Sequence, residues 1–354
     1  MAKLDKWEAQ HRKDLNDLNK KVAVLYDELV REAVAIGMTV PLLGERPFRF
    51  SNYPHTKARA DKLLDNYQEN IKKLIVNGIE AQWSLSNGKN DELCRCVLGK
   101  RVSGFKQMAR YFNNNDTARD AFIRRKDAEG LNLSERVWRY RGQFREEIEM
   151  GLDVLIRDGL PAGEMNRELN NYLREPGRLF RRVRDQHGQL QLSKHAASYH
   201  PGQGVYRSSV RNIERLTRTE TNMAYREADY ERWQQLDFVV GIEIHLSHSH
   251  PYPDICDELK GKYPKDFKFT GWHPQCMCYA TVILKTAEEL SEDTHRILSG
   301  GRAMRTSANR VIHTPPQFSQ WNRENESRTL SARQQPYFIR DNMKYIPASV
   351  KKEL

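Results

Sequence analysis

Between Leu216 and Lys285 the chain changes its hydrophobic rhythm, and that change limits its possible folds more than any other stretch. Arg215 to Tyr225 reads as the charged opening of an amphipathic helix that runs to about Leu236. From Asp237 to Leu246 the period drops to two, with Phe238, Val240, Ile242 and Ile244 alternating with Val239, Gly241 and Glu243, as in a strand. Tyr279 to Leu284 reads as the return strand. Between the two lie His245, His248, His250, Asp254 and Cys256, then the aromatic, basic run through Tyr263, Phe267 and Phe269, then Trp272-His273-Pro274-Gln275-Cys276-Met277-Cys278. A helix therefore hands over to a small β unit with nitrogen and sulfur ligands at both ends of one hairpin.

Zinc takes about four nitrogen or sulfur ligands in a tetrahedron, and closed structural sites favour cysteine. Cys256, His273, Cys276 and Cys278 are four such ligands in one module. Cys276 and Cys278 share a strand face but sit one residue closer than the common two-residue spacer, and His245, His248 or His250 can substitute for one of them. A disulfide and plain buried thiols are the alternatives. An ion here is structural, because so small a hairpin has little core of its own. An open site with Glu243 or Asp254 as general base would instead make a zinc-dependent enzyme acting on nucleic acid or peptide. The chain carries no helical His-Glu zinc signature, Gly-rich phosphate cradle or nucleophile elbow to support that. Cys94 and Cys96, two apart on a predicted helix, point in different directions and read as buried or half-buried thiols.

Upstream, helical spacing covers about Leu4 to Ile36, with Leu15, Leu18, Val22, Leu25 and Leu29 on one face, either packed within the subunit or forming a short coiled coil. Lys57 to Trp83 repeats that spacing, Ser84 to Asn90 reads as a loop, and Asp91 to Phe112 as helix. Asn113 to Asp116 breaks the chain before a short helix to about Asp127. Ser134 is the expected N-cap of a long helix to about Asp158, with Leu133 and Trp138 spaced as a hydrophobic staple. Glu164 to Leu173 follows as its hairpin partner. Thr217 or Thr219 is the expected cap of the helix that leads into the β unit, with Glu220 near its positive end.

The chain has 354 residues, a formal net charge of +11 and a mean hydropathy of −0.80, which suits a helical protein with much surface committed to water, protein or polyanion. Arg178, Arg181, Arg182, Arg184, Lys194, Arg207 and Arg211, interleaved with Tyr199 and Tyr206, form a candidate DNA- or partner-binding surface. The same run also fits a solvated face paired to Glu175, Asp185 and Glu214. From Gly301 onward ten basic residues stand against four acidic ones, with scattered Trp321, Tyr337 and Phe338, the pattern of an arm that orders on a partner. No apolar run reaches membrane-spanning length and none has the form of a secretory signal, which places the chain in the cytoplasm.

Arg218-Thr219-Glu220, Asp254-Ile255-Cys256, Gly261 and His273-Pro274-Gln275-Cys276-Met277-Cys278 follow one another in an order that resembles the phage head morphogenesis family, the Mu F-like minor head proteins. The resemblance covers roughly Leu131 to Leu284; Met277 stands where the family usually has Arg, and Cys256 stands alone where many members have a pair. It implies a minor capsid protein of a tailed phage or prophage, associated with the portal protein and the capsid interior. Its roles would be head assembly and DNA packaging or delivery, with possible contact to genomic DNA and none to membrane. Its location would be the host cytoplasm during assembly and then the virion, at the head interior or portal vertex. The expected fold is α+β, mainly helical with a small Cys/His-bearing β-hairpin module. Its expected parts are a helical domain over 1–130, a Mu F-like domain over 131–300 with its β module at 237–285, and a basic arm over 301–354.

Overall fold

The computed structural model describes residues 2–40, 47–104, 106–175, 183–184, 187–191, 199–202, 204–247, 253–332 and 335–351. The protein is mainly helical with a small antiparallel sheet, the expected α+β class. Its helices include α1 (Ala2–Gly37), α2 (Pro54–Ser103), α3 (Asp116–Arg124), α4 (Leu133–Arg157), α5 (Ala162–Arg174) and α6 (Ser209–Gln235). Two short strands, β1 (Val183–Arg184) and β2 (Leu190–Gln191), pair with each other. After α6 come β3 (Val239–His245), α7 (Ile255–Leu259), β4 (Gly261–Tyr263), β5 (Tyr279–Leu284) and α8 (Ala287–Leu298). The C-terminal segment carries α9 (Pro316–Glu324), α10 (Glu326–Ser331), α11 (Tyr337–Arg340) and α12 (Ala348–Lys351). Among the described residues no helix is long and apolar enough to cross a membrane.

The chain forms two compact units. One comprises Met1–Lys13, Gly78–Gly130 and Thr219–Leu354; the other comprises Asp14–Asn77 and Leu131–Arg218. Residues 14–77 group with 131–218, and the tail from 301 joins the unit that holds the sheet. The tail, expected as an arm that orders on a partner, packs on this chain's own core. Phe318, Phe338, Ile339, Ile346 and Val350 lie in the same hydrophobic core as Tyr263, Phe267 and Trp272. The two phenylalanines pack against aromatic rings of the β module: Phe318 meets Phe267 at 5.3 Å edge to face, and Phe338 meets Trp272 at the same distance.

In the sheet, β3 is central, with order β4-β3-β5 and both pairings antiparallel. Ile242 faces Tyr263 on one side and Val282 on the other. The alternation read from the sequence is incomplete, since Val239, Val240 and Gly241 are buried in succession. The cause is a second covering layer: Val311 donates its N–H to the Val240 carbonyl at 3.1 Å, and a Cβ on Gly241 would stand 2.6 Å from a Val311 methyl.

Three local expectations change. Residues 84–90 are helical, within α2. Their polar side chains, which resemble loop composition, face a buried polar network: Ser86 and Asn90 each donate to Asp229 at 2.7 Å, and Asn87 accepts from Arg232 at 2.9 Å. The cap of α4 is Asn132, not Ser134; it accepts from the Glu135 N–H while Glu135 accepts from the Asn132 N–H. Trp138 is 60% exposed, so it staples nothing. The last change concerns α6, which begins at Ser209, with Ser208 Oγ accepting the Arg211 N–H at 3.1 Å. Thr217 and Thr219 therefore lie inside the helix, where the side chains of Thr219 and Glu220 bond to other elements instead of capping.

In the other unit the core centres on Tyr26, Tyr67 and Phe144. The two tyrosine hydroxyls share a hydrogen bond of 2.6 Å, and Phe144 stacks on Tyr67 at 5.4 Å. Leu15, Val22 and Leu29 from the predicted stripe are buried in this unit, so that part of the face packs within the subunit. The predicted partners α4 and α5 pack on each other.

Candidate metal centre

Each of the four predicted ligands is placed by a local device. Asp254 caps α7 by accepting the Cys256 N–H at 2.7 Å and donating its own N–H to Asp257 at 2.9 Å, which fixes Cys256 in the first turn. The loop before β5 turns through Gly271, at φ +127°, and Gln275, at φ +61°. The Cys276 N–H closes one turn of it onto the His273 carbonyl at 3.1 Å.

The ligand atoms form two overlapping triads that share Cys256. Within each, all ligand atoms lie within 4.8 Å: one triad is Cys256, Cys276 and Cys278, all buried, and the other is Asp254, Cys256 and His273. Sulfurs bound to one zinc ion in a regular tetrahedron stand about 3.8 Å apart, and Cys256 Sγ is 3.8 Å from Cys276 Sγ. That spacing is far too long for a disulfide, and all five cysteines are free. The fourth predicted ligand, His273, reaches the cluster through Cys256, with Nε2 at 3.2 Å from its sulfur. His273 Nδ1 lies 2.8 Å from the Pro274 carbonyl, which leaves Nε2 as the ring atom that faces the Cys256 sulfur. Asp254 Oδ2 stands 3.3 Å from the same Nε2. The buried Cys256, Cys276 and Cys278 cluster is a donor set that can hold a metal ion, and His273 belongs to the neighbouring triad, outside it.

The thiols are unequal. Cys276 is held well below the ordinary thiol range, first by hydrogen bonds from the Cys256 and Cys278 thiols, with the Arg226 charge and the Trp272 N–H adding to them. Cys256 is pushed up because it donates to Cys276 and Cys278 and is buried. Cys278 is pushed up to about 12: its bond with Cys256 pulls down, and donation to Cys276, burial and the Cys276 charge outweigh it.

Helix α6 grips this loop along one face, and sequence reasoning missed two of its residues. Thr219 Oγ1 accepts the Gln275 N–H at 3.2 Å. Asn222 donates to the Cys276 carbonyl at 2.6 Å. Arg226 donates to the carbonyls of Thr270 at 2.9 Å, Cys276 at 2.7 Å and Cys278. Positions 219, 222 and 226 recur at three and four residues, so a polar helical stripe aimed at a buried face was the available signal. Asn222 is itself set by His11, whose Nε2 is 2.9 Å from Asn222 Oδ1. Behind the loop, beside Arg226, Met277 and Cys278, a cavity of about 20 Å³ has room for one water.

Of the motif residues, Glu220 is buried and accepts from Arg125 at 2.8 Å, Asp254 is the α7 cap, and Arg218 belongs to the other unit. His245 is outside both triads; its Nε2 bonds Thr281 Oγ1 at 2.8 Å across β3 and β5. Among the candidate binding residues, Arg178, Arg181, Arg182 and Lys194 lie outside the described residues, as do His248 and His250, and of Arg184 only the backbone is described. Arg211 is exposed and donates to the Arg174 carbonyl at 3.0 Å, and Arg207 is half-buried. Cys94 is buried and Cys96 exposed, consistent with opposite directions on one helix.

No protein-family model matches this chain, and no curated protein or solved structure matches it either.

Proposed function

We propose that this chain is a minor head protein of a tailed phage or prophage, associated with the portal protein and capsid interior, acting in head assembly and in DNA packaging or delivery. Its Cys/His centre carries zinc as a structural clasp. The observation that supports the reading is the grip of α6 on the cysteine loop. Thr219, from the Arg-Thr-Glu element, bonds Gln275 inside the His-Pro-x-Cys-x-Cys element across 56 positions, so motif parts that resemble the Mu F-like signature work as one physical unit. The net charge of +11 favours approach to DNA or to an acidic portal surface.

Zinc suits the donor set better than a harder ion, since thiolate ligands select it over magnesium or calcium. Cys256, Cys276 and Cys278 would hold it, with His273, which reaches Cys256 but not the other two sulfurs, moving in as the fourth ligand when the ion binds, and Asp254 would remain outside as the residue that aims Cys256. Three thiolates and one zinc ion leave a single negative charge, which Arg226 balances.

The test co-expresses the chain with the portal protein of the same particle and follows both through capture and head assembly. Retention on portal, heads that fail to assemble or to fill when the chain is missing, and about one zinc per chain that is lost in Cys276→Ser are the expected results. A chain found neither on portal nor in heads would falsify the assembly reading, whatever its metal content.

A further inference from the structure

The tyrosine that opens α11 carries an unanswered hydroxyl beside the cysteines. Tyr337 Oη is buried and has no hydrogen-bond partner among the described residues. Its surroundings are those of the cluster. A Cβ built on Gly271 would lie 3.3 Å from Tyr337 Oη, 3.3 Å from Cys276 Cβ and 2.6 Å from an Arg226 nitrogen, so all three groups converge on the one position that lacks a side chain. The phenol is pushed up by burial and then by the Cys276 charge, with Cys256 adding to it. A buried hydroxyl left unpaired costs about 1–3 kcal/mol, and a chain does not normally retain such a group without an acceptor. A metal-bound thiolate is an acceptor, whereas a thiol sulfur is a poor one.

We propose that Tyr337 is a positioning residue of the metal centre: its hydroxyl donates to a cysteine thiolate once the ion is bound, and metal occupancy thereby locks the C-terminal segment onto the β module. This rests on the zinc reading above and adds to it a residue 59 positions beyond the last cysteine, outside the stretch that carries the family resemblance. Phe338 and Ile339 follow directly and are buried in the core shared with Cys256, Cys276 and Cys278, so a bond at Tyr337 is transmitted to the segment by adjacency. The role is electrostatic: a hydrogen bond to sulfur withdraws charge from the thiolate and steadies the metal–sulfur bond, as outer partners of metal ligands do.

The experiment uses the full chain loaded with cobalt(II) in place of zinc, so that sulfur-to-metal charge-transfer absorption reports on the thiolates directly. Tyr337→Phe keeps the ring and removes only the hydroxyl. The expected result is a displaced charge-transfer band and a metal affinity lowered about 10- to 100-fold. A second measurement needs no variant: hydrogen exchange over residues 337–350 should speed up when zinc is withdrawn by a chelator from the wild-type chain. An unmoved band with unchanged affinity, or exchange over 337–350 that ignores the chelator, overturns the proposal and leaves the zinc clasp intact. A chain that binds neither cobalt nor zinc overturns both.

Discussion

The two units bury ionisable groups in opposite ways. In one, Lys89 Nζ lies 2.6 Å from Asp229 and 3.2 Å from Glu8, with Tyr225 donating to the same Glu8 oxygen at 2.9 Å. Burial would strip Lys89 of its proton, but the charges of Asp229 and Glu8 outweigh it and hold the ammonium well above its ordinary range. In the other unit, Glu147 is completely buried and receives only neutral donors. The Ser209 N–H and hydroxyl reach it at 3.0 and 2.6 Å, and Gln143 at 2.9 Å. Those bonds favour its ionised form, yet burial wins and pushes it up to about 8. Hydrogen bonds from neutral groups satisfy a carboxylate without replacing a counter-charge.

The largest effect should come from breaking the paired site. Lys89→Ala leaves Asp229 buried without its cation and should cost about 3–5 kcal/mol in denaturant unfolding. Combining Lys89→Met with Asp229→Asn, which removes both charges, should recover most of that loss. A double variant as unstable as the single one would show that packing, not charge, sets the cost. The next effect sharpens the contrast. Because the folded carboxyl of Glu147 sits at about 8 against an ordinary 4.5, its contribution is fully present below about pH 4.5 and is lost as pH rises through about 8. Glu147→Gln should flatten the fall in stability across that window, and an unchanged slope would mean that the carboxyl ionises as freely when buried as in the unfolded chain. The smallest effect belongs to an exposed charge: Arg211→Ala should move stability by no more than about 0.5 kcal/mol in a thermal melt, since it gives up one surface bond to the Arg174 carbonyl.

Periodicity revealed the strongly patterned parts of this fold. The helix over 4–36 and the strands about 239 and 279 follow from apolar spacing, and Cys256, Cys276 and Cys278 as neighbours follow from ligand residues gathered at the ends of one hairpin. What periodicity could not show was polarity turned inward. Ser86, Asn87 and Asn90 looked like loop residues because their partners, Asp229 and Arg232, lie about 140 positions away in the chain. Thr219 and Glu220 looked like a helix start for the same reason. Their partners Gln275 and Arg125 are visible only in three dimensions. Tyr337 and Phe338 looked like components of an arm that orders on a partner because scattered aromatic residues have no period to read.

The bond between His11 and Asn222 spans 211 positions, and that between Glu8 and Tyr225 spans 217. Contacts of such range cannot form until most of the chain has been synthesised, and closing them is slow compared with growing a helix. The Cys276 carbonyl is held by the same Asn222 that His11 orients, so the cysteine loop waits on that closure. The cysteines also emerge from the ribosome before Phe338 and Val350, which share their core, and for that interval they are accessible thiols. On the zinc reading proposed above, availability of metal during synthesis bears on the yield of correctly closed chains, a matter of timing that equilibrium stability does not record.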